Sequence, residues 1–289
     1  MTPHDSQTPV WFITGASRGL GLDIARAALR AGARVVATAR STNGVADDVL
    51  AGADGASRED LLVAPLDVTD ARQIDAAGAG ATDRFGRIDV LVNNAGYGQL
   101  GMFETVSEGA VRRQFDVNLF GLMELTRRVL PGMRRQGSGH VFNVSSIAGA
   151  KGYAGASVYC ATKFAVEGFS ESLAEEVAPF GIRVTVVEPG FFRTDFLEAS
   201  SAVYSDAPLP AYAGANAGHK SVFDGISGRQ PGDPARLGDA LVSLARAEDP
   251  PMRYAAGSDA YKIVGDAFGA RQAELVRWKD LTVSTDHHA

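Results

Sequence analysis

The sequence predicts an α/β fold in which one parallel sheet of about seven strands carries helices on both faces, a doubly wound arrangement. Two observations lead to this prediction. Short runs rich in Val, Ile and Leu recur at intervals too long for hairpins, as buried parallel strands do. The segments between them are Ala-rich or amphipathic and have the length of crossover helices. With 289 residues, 45% hydrophobic and 21% charged, the chain suits a single domain spanning residues 1–289.

Six strands follow from these hydrophobic runs, and a seventh follows from a shorter one near Tyr254. The six are predicted at residues 10–14, 34–39, 61–66, 90–92, 140–144 and 183–188. Each run is hydrophobic throughout and does not alternate with polar residues. This pattern indicates a sheet that is buried on both faces.

The crossover helices are predicted between these strands. The three longest cover residues 20–31, 106–135 and 157–178. A further helix is expected over 70–85, where Gly78 and Gly80 each cost about 1 kcal/mol relative to Ala.

Two more helices are predicted near the C-terminus. Asp233 as N-cap and Pro234 in the first turn begin a helix that runs towards Ala247. The last helix is expected over residues 258–278. These two helices flank the strand near Tyr254 and complete the fold.

A long stretch, residues 200–231, is rich in Ala, Gly, Ser and Pro and lies inside the domain. Loops of this length within a domain are usually functional or mobile. We expect residues 196–231 to be a substrate lid that orders, at least partly, when ligands bind; the alternative is an inert surface excursion. Its aromatic side chains, such as Phe196, supply apolar surface, and its glycines permit bending. Residues 1–8 are expected to be a flexible tail.

Composition and charge exclude several classes of function. A net charge of −6 argues against a broad interface with nucleic acid or an anionic membrane. No apolar run reaches the ~18 residues of a membrane helix, and the N-terminus lacks a signal-peptide pattern, so we expect a cytoplasmic protein. Cys160 is the only cysteine, which rules out an internal disulfide and a multi-cysteine metal site. The His287-His288 tail is interpreted as a solvated end, and no metal site is predicted.

A glycine-rich turn follows the first predicted strand and leads directly into a helix. It comprises Thr14, Gly15, Ala16, Ser17, Arg18, Gly19, Leu20 and Gly21. Glycines at this spacing let backbone N–H groups and the helix N-terminus approach a pyrophosphate. The turn therefore predicts a dinucleotide site, the alternative being a mere tight turn.

The residues near this turn indicate which dinucleotide is bound. An NAD-selective site usually has an acid at the end of the second strand, where it repels a 2′-phosphate. Here that position is Ala39, followed by Arg40, and Arg18 lies within the glycine turn. Guanidinium groups bind phosphate bidentately, so these cations predict NADP(H). The alternative is a pair of solvated surface arginines.

A phenol and an ammonium are predicted to share one helix face, because Tyr159 and Lys163 are four residues apart. A neighbouring cation favours the phenolate, so Lys163 and an oxidised nicotinamide ring together would bring the pKa of Tyr159 into a useful range. Ser145 and Ser146 end the fifth strand, thirteen residues before the tyrosine. Strand alternation and spacing favour Ser146 as its partner.

These motifs resemble those of the short-chain dehydrogenase/reductase family over residues 9–195, and the closing stretch is similar to its 17β-hydroxysteroid-dehydrogenase-like branch. The glycine turn resembles the family's Thr-Gly-x-x-x-Gly-x-Gly loop, and Ser146, Tyr159 and Lys163 resemble its catalytic group. The resemblance extends to Asp67, Val68, Asn94, Ala95, Gly96, Asn118, Pro189, Gly190 and Thr194. It implies a single-domain Rossmann fold.

The resemblance also implies residue roles. Asp67 and Val68 contact the adenine, while the segment from Asn94 to Gly96 braces the sheet beside the cofactor. Asn118 would be the fourth catalytic residue, anchoring a water beneath Lys163. The Pro189-Gly190 segment and Thr194 would orient the nicotinamide.

The implied activity is NADP(H)-dependent interconversion of a ketone or aldehyde and an alcohol, with a bulky apolar carbonyl compound as the small-molecule substrate. Ser146 would hydrogen-bond the carbonyl oxygen and Tyr159 would protonate it. Two alternatives remain: a cofactor-sensing regulator on the same fold, and a double-bond reductase or epimerase. Family members commonly pair through long helices, so a homodimer or homotetramer is expected through the helices predicted at 106–135 and 157–178.

Overall fold

A computed structural model describes residues 8–198 and 201–287 and places seven of the strands in one parallel sheet. The strands are β1 (Val10–Thr14), β2 (Arg34–Ala39), β3 (Leu61–Pro65), β4 (Val90–Asn93), β5 (Gly98–Gln99), β6 (Gly139–Val144), β7 (Ile182–Pro189), β8 (Ala202–Val203) and β9 (Arg253–Ala256). The sheet order is β3-β2-β1-β4-β6-β7-β9, and β5 pairs separately with β8. The seven predicted strands of the parallel sheet are confirmed.

The strand order reverses between β1 and β4. The chain first moves outward from β1 to β2 and β3, then returns to the other side of β1 with β4. In sheets of this kind, the segments after neighbouring strands diverge at the reversal and leave a crevice outside the carboxyl ends. The crevice lies beside the glycine turn that follows β1.

Helices cover both faces of the sheet. They are α1 (Gly19–Arg30), α2 (Val45–Ala51), α3 (Ala71–Phe85), α4 (Glu108–Phe115), α5 (Gly121–Gln136), α6 (Ile147–Ala150), α7 (Ser157–Val177), α8 (Ala213–Ile226), α9 (Pro234–Arg246), α10 (Ser258–Arg277) and α11 (Lys279–Val283). The two largest hydrophobic clusters among the described residues include Ile24 and Leu241 in one and Ile74 and Leu125 in the other, all four fully buried. The predicted doubly wound fold is confirmed.

Two helices begin at an aspartate that caps them, and for the second of these the cap was predicted from the sequence. Asp70 accepts a 2.9 Å hydrogen bond from the Arg72 N–H and so begins α3, despite the glycines within that helix. Asp233 accepts from the Ala235 N–H at 2.9 Å and begins α9, with Pro234 in its first turn. In both cases a carboxylate satisfies an N–H that the helix leaves unpaired.

The predicted continuous helix over 106–135 is wrong in one respect. The chain forms α4, then a π-helical turn at Asp116–Phe120, then α5. Such a turn inserts one extra residue into a helix and often occurs at a functional site. Here it contains Asn118, whose buried side chain bonds to the backbone of Tyr97.

The segment predicted as a lid is more regular than the sequence suggests. It contains the 14-residue helix α8, and β8 pairs with β5 in parallel. Glycines at three positions in α8 disfavour a helix, which is why local propensity does not predict it. Asn216 ties α8 to the body, since its side chain accepts from the Met102 N–H at 2.8 Å and donates to Thr105 Oγ1 at 3.1 Å.

Some predicted features lie outside the described residues: positions 1–7 of the tail, 199–200 of the lid and His288. Within the described ranges, none of the helices has the length and apolar character needed to cross a membrane. The same ranges contain no group of three or more His, Cys, Asp or Glu side chains arranged to hold a metal ion.

Candidate active site

The structure brings the predicted site residues to one edge of the sheet, because the strands are parallel and their carboxyl ends coincide. Each strand from β1 to β4, together with β6 and β7, is followed by a segment carrying part of the site. The residues in the connecting segments and strand ends are Thr14, Gly15, Ser17, Arg18, Arg40, Asp67, Val68, Asn94, Ala95, Gly96, Ser146, Pro189, Gly190 and Thr194. Gly19, Leu20 and Gly21 begin α1, Tyr159 and Lys163 lie on α7, and Asn118 lies in the π-helical turn.

The glycine turn is held in place by Asn94. Its side-chain N–H group donates to Thr14 O at 2.8 Å and to Gly15 O at 3.3 Å. Gly15 has a φ of +67° and Gly19 one of +55°, values that side-chain-bearing residues rarely adopt. A Cβ on Gly21 would lie 2.3 Å from Gly15 O, so α1 packs against the turn only without a side chain there.

The N-terminus of α1 is suited to an anion. Arg18 occupies the N-cap position but makes no side-chain cap bond, so the first-turn N–H groups retain their need for an acceptor. The helix dipole adds positive potential at the same point. Together with the glycine backbone, these groups fit the pyrophosphate of a dinucleotide.

The two arginines predicted to select the cofactor have different surroundings. Arg18 Nη2 donates to Ser201 Oγ at 2.8 Å, which connects this guanidinium with the lid. Arg40 is exposed at the end of β2, directly after the buried Ala39. No acid occupies the strand end, which is favourable for a phosphate-bearing ribose.

The segments after β3 and β4 are held by contacts with the start of α5, with Thr69 and with the end of β1. Val68 contacts the start of α5, since a Cβ on Gly121 would lie 2.7 Å from it. Asp67 Oδ1 accepts from both the N–H and the hydroxyl of Thr69, at 2.9 and 2.7 Å. Ala95 donates its N–H to Thr14 Oγ1 at 2.9 Å. These contacts fix the backbone on either side of the crevice.

Ser146, Tyr159 and Lys163 meet at the end of β6. Ser146 is the N-cap of α6, accepting from the Ala148 N–H at 3.1 Å, and its hydroxyl lowers the pKa of the Tyr159 phenol. Lys163 Nζ lies 5.7 Å from the centre of the Tyr159 ring. The ammonium donates to Val144 O at 2.8 Å. The neighbouring Ser145 is buried, and its hydroxyl donates to the backbone carbonyl of Lys163 at 3.5 Å.

Burial controls the proton affinities of this group. It raises the pKa of Tyr159 to about 12, opposed by the hydrogen bond from Ser146. It lowers the pKa of Lys163 to about 8, opposed by the Glu167 carboxylate. The expected lowering of the phenol pKa is therefore not produced by the chain's own residues, because burial of the phenol outweighs the effect of Ser146.

Asn118 is 2% exposed and bonds to the backbone of Tyr97 through both ends of its carboxamide. Oδ1 accepts from the Tyr97 N–H at 3.1 Å, and Nδ2 donates to Tyr97 O at 2.9 Å. Nδ2 also reaches Thr162 Oγ1, on the helix of Lys163, at 3.4 Å. The geometry thus gives Asn118 a bracing function, and its expected water beneath Lys163 stays a prediction.

The segment after β7 is fixed by a side chain from the start of α10. Phe191 donates its N–H to Asp259 Oδ2 at 2.7 Å, and a Cβ on Gly190 would lie 2.3 Å from the same carboxylate. Thr194 follows and accepts from the Phe196 N–H at 3.3 Å. The predicted nicotinamide-orienting segment is therefore held close to the crevice.

The lid contacts the candidate acid/base residue directly. The Phe196 and Tyr159 rings are 5.8 Å apart and tilted. Further out, a cavity of about 170 Å³ lies between α8 and the body, with Tyr204 and Phe223 in its wall. Both aromatic residues also pack around the hydrophobic cluster beside Tyr159. The wall nearest the site is thus mainly apolar.

Two contacts of the site were missed by reasoning from sequence. Nothing in the sequence indicates that Ser201 contacts the site, because its partner Arg18 is 183 positions away. Glu167 lies four residues after Lys163, and its burial beside that residue could have been inferred from helical periodicity.

Comparisons with known proteins agree with this geometry. The model of the short chain dehydrogenase family matches residues 9–204. Oxidoreductase BOA17 of Botryotinia fuckeliana is 39% identical over 279 residues, covering 96% of this chain and 99% of that protein. A short-chain dehydrogenase structure from Streptomyces avermitilis superposes with a TM-score of 0.88 at 43% identity, covering 99% of this chain and 100% of that one.

A more distant structure contains a nucleotide. It is an alcohol dehydrogenase from Thermococcus sibiricus complexed with 5-hydroxy-NADP, with a TM-score of 0.68 and 25% identity, covering 86% of this chain and 95% of that one. The chain belongs to the short-chain dehydrogenase family. It is an oxidoreductase that acts on alcohol or carbonyl groups and binds a nicotinamide cofactor.

Proposed function

We propose that the protein is an NADP(H)-dependent reductase of a bulky apolar ketone or aldehyde, and that it also catalyses the reverse oxidation. The observation that carries this proposal is the grouping of Ser146, Tyr159 and Lys163 at the end of β6, beneath an apolar lid. Bound NADPH would supply the hydride.

Tyr159 is the proton donor in this proposal. Its raised pKa keeps the phenol protonated at neutral pH, which suits reduction, where the oxygen of the new alcohol must gain a proton. Ser146 donates a hydrogen bond to the carbonyl oxygen, where negative charge develops. The ammonium of Lys163 stabilises the phenolate that remains after proton transfer.

The choice of NADP(H) rests on the charges near the end of β2. Ala39 leaves that strand end without a carboxylate, and Arg40 and Arg18 supply cations on the side where a 2′-phosphate would lie. The 5-hydroxy-NADP complex of the Thermococcus sibiricus enzyme supports the same choice. A bidentate guanidinium contact to phosphate is among the stronger polar interactions.

The substrate class rests on the lid. Phe196 lies against Tyr159, and Tyr204 and Phe223 extend the apolar wall. Apolar walls exclude water from the site and favour a substrate with a large hydrocarbon part.

Two measurements test the proposal. NADPH oxidation by the purified protein is followed with a panel of carbonyl compounds of increasing size, and the best substrate is then used to compare Tyr159→Phe with the wild type. We expect turnover to fall by about 10²-fold or more, since general acid catalysis contributes that much, while calorimetry gives a nearly unchanged Kd for NADPH. Substantial turnover by the phenylalanine variant would remove Tyr159 from this function.

We also propose self-association through the faces of α5 and α7. Phe120, just before α5, is 54% exposed, and Phe164 on α7 is 39% exposed. Large aromatic side chains at such positions are typical of interfaces. Light scattering at micromolar concentration should give a mass of a dimer or tetramer; a monomer of 30.3 kDa would contradict this.

A further inference from the structure

Lys163 is a buried cation with little local compensation. The residue is 6% exposed. Among the residues that the structure describes, its ammonium makes one hydrogen bond, to Val144 O at 2.8 Å. A carbonyl dipole offsets only part of the cost of burying a full charge. Another group must therefore favour the charged form if the ammonium is to persist beside Tyr159.

Glu167 is placed to do this. It lies one helical turn beyond Lys163 on the same face of α7, and its side chain is 10% exposed. Its Oε2 accepts from Arg253 Nε at 3.2 Å, whereas Oε1 is buried without a hydrogen-bond partner in the described part of the chain. Of the charged groups around Lys163, it is the Glu167 carboxylate that raises the lysine's pKa.

The unpartnered oxygen of Glu167 faces the catalytic end of β6. A Cβ on Gly149 would lie 2.8 Å from Oε1 and 2.4 Å from Ser145 Oγ, so both atoms border one small space that glycine leaves open. Burial raises the pKa of Glu167, and the Arg253 guanidinium opposes that rise. The carboxylate is therefore held between the surface cation Arg253 and the interior of the site.

The other charged groups around this pair come from β7, β9 and α7. Glu188 on β7 is 2% exposed, and burial together with the charge of Glu167 raises its pKa to about 7. Arg253 on β9 also bonds Glu171 on α7, Nη2 to Oε2, at 2.7 Å. Glu171 is largely exposed, its side chain at 64%, so it differs from Glu167 in burial while sharing the same arginine.

We propose that Glu167 is a positioning residue whose carboxylate keeps Lys163 in its ammonium form beside Tyr159 at neutral and mildly alkaline pH. The inference rests on the functions proposed above for Tyr159 and Lys163. Loss of the negative charge makes the lysine release its proton at lower pH. The phenolate formed in each turnover then lacks its cation, and turnover falls over a pH range in which the wild type is active.

The chain contains only five lysines, so the charge of Lys163 can be measured directly: Lys151, Lys163, Lys220, Lys262 and Lys279. Protein labelled with ¹³C at the lysine Cε carbons is titrated by NMR, and a Lys163→Arg variant assigns the signal. We expect the Lys163 titration in Glu167→Gln to move about one pH unit below the wild type, a tenfold loss of proton affinity. The matched control Glu171→Gln, which removes a charge from the same arginine, should leave the titration where it is.

The outcome that overturns the proposal is a Lys163 titration that is the same in Glu167→Gln and in the wild type. Glutamine keeps the shape and the acceptor for Arg253; if that variant does not fold, Glu167→Met removes the charge through an apolar side chain and decides the same question. In the folded variant the alkaline limb of kcat must move to lower pH together with the NMR titration. A shifted titration with an unmoved limb overturns the link to turnover.

These readouts separate the inference from the proposed function. The NMR titration requires no turnover, so it decides the influence of Glu167 on Lys163 even if Tyr159→Phe proves active. Conversely, an inactive Tyr159→Phe variant with an unmoved Lys163 titration in Glu167→Gln leaves the proposed function standing and removes Glu167 from it.

Discussion

Arg18 Nη2 donates a 2.8 Å hydrogen bond to Ser201 Oγ and thereby joins the glycine turn to the lid. Ser201 is 8% exposed and directly precedes β8, the lid strand that pairs with β5. One side chain of the candidate cofactor site is thus in contact with the segment predicted as a lid. A substitution of Arg18 or of Ser201 should therefore also change the surroundings of the other residue.

The first prediction concerns the lid. Ser201→Ala removes the bond to Arg18, which is worth about 1 kcal/mol because the arginine is partly solvated. We expect amide exchange at 201–203 to accelerate about fivefold, measured by hydrogen–deuterium exchange on the cofactor-free protein. Ser227→Ala serves as control, since it removes a bond to Glu198 within the lid. Equal exchange in the Ser201 variant and the wild type would count against a tether.

The second prediction concerns cofactor preference. The double variant Arg18→Ala, Arg40→Ala should lose on the order of 100-fold in kcat/KM with NADPH and much less with NADH, because only NADPH loses phosphate partners. Ser201→Ala is again informative: it releases the lid but retains both guanidinium groups, so its preference should match the wild type. If both cofactors weaken equally in the double variant, the arginines do not select NADPH.

The third prediction concerns stability against pH. Glu188 has a pKa of about 7 in the folded protein against 4.5 when unfolded, so the folded state binds the extra proton between these values. The contribution of Glu188 to the free energy of unfolding is therefore largest at low pH and is lost as the pH rises through about 7. Glu188→Gln stays neutral, so its free energy of unfolding relative to the wild type should rise by about 2 kcal/mol between pH 5 and pH 8.5.

Urea unfolding at the two pH values measures this difference. The control is Glu171→Gln, whose side chain is 64% exposed and whose removal should give no comparable trend. A difference between the Glu188→Gln variant and the wild type that is constant with pH would mean that Glu188 is ionised in the fold.

The fourth prediction compares two glycines. In Gly21→Ala the new Cβ would meet Gly15 O at 2.3 Å and Asn94 Nδ2 at 2.5 Å, so α1 must shift away from the glycine turn. We expect a loss of about 3 kcal/mol in stability, as overpacking typically costs, and weaker NADPH binding. Gly78→Ala in α3 meets nothing within 4 Å and should instead gain about 0.5–1 kcal/mol. Thermal unfolding and calorimetry measure both effects; an equally stable Gly21 variant contradicts the packing argument.

The sequence predicts the sheet well because each strand is a short hydrophobic run bounded by turn residues. Predicted and observed limits coincide at Val10–Thr14 and at Arg34–Ala39. The candidate catalytic pair could also be identified from the sequence, since periodicity alone puts Tyr159 and Lys163 on one helix face.

The elements that were missed depend on contacts distant in sequence. Helix α8 forms despite its glycines because Asn216 bonds to a loop more than 100 positions earlier. The π-helical turn forms where Asn118 meets the backbone of Tyr97. Neither interaction can be predicted from local helix propensity. The expectation for the pKa of Tyr159 includes an oxidised nicotinamide ring; among the protein's own groups, burial dominates and raises this pKa to about 12.

The two-residue ladder between β5 and β8 limits how lids can be recombined among related enzymes. Gly98 pairs with Ala202 and Gln99 with Val203, and a Cβ on Gly98 would come within 3.4 Å of the Phe196 ring. A chimera that imports a foreign lid beside the native Gly98–Gln99 strand would have to reproduce this register, since a slip of one residue exchanges the two faces of the ladder. The unit of exchange is therefore discontinuous: a transplanted lid should carry β5 with it, although the two segments lie about 100 residues apart.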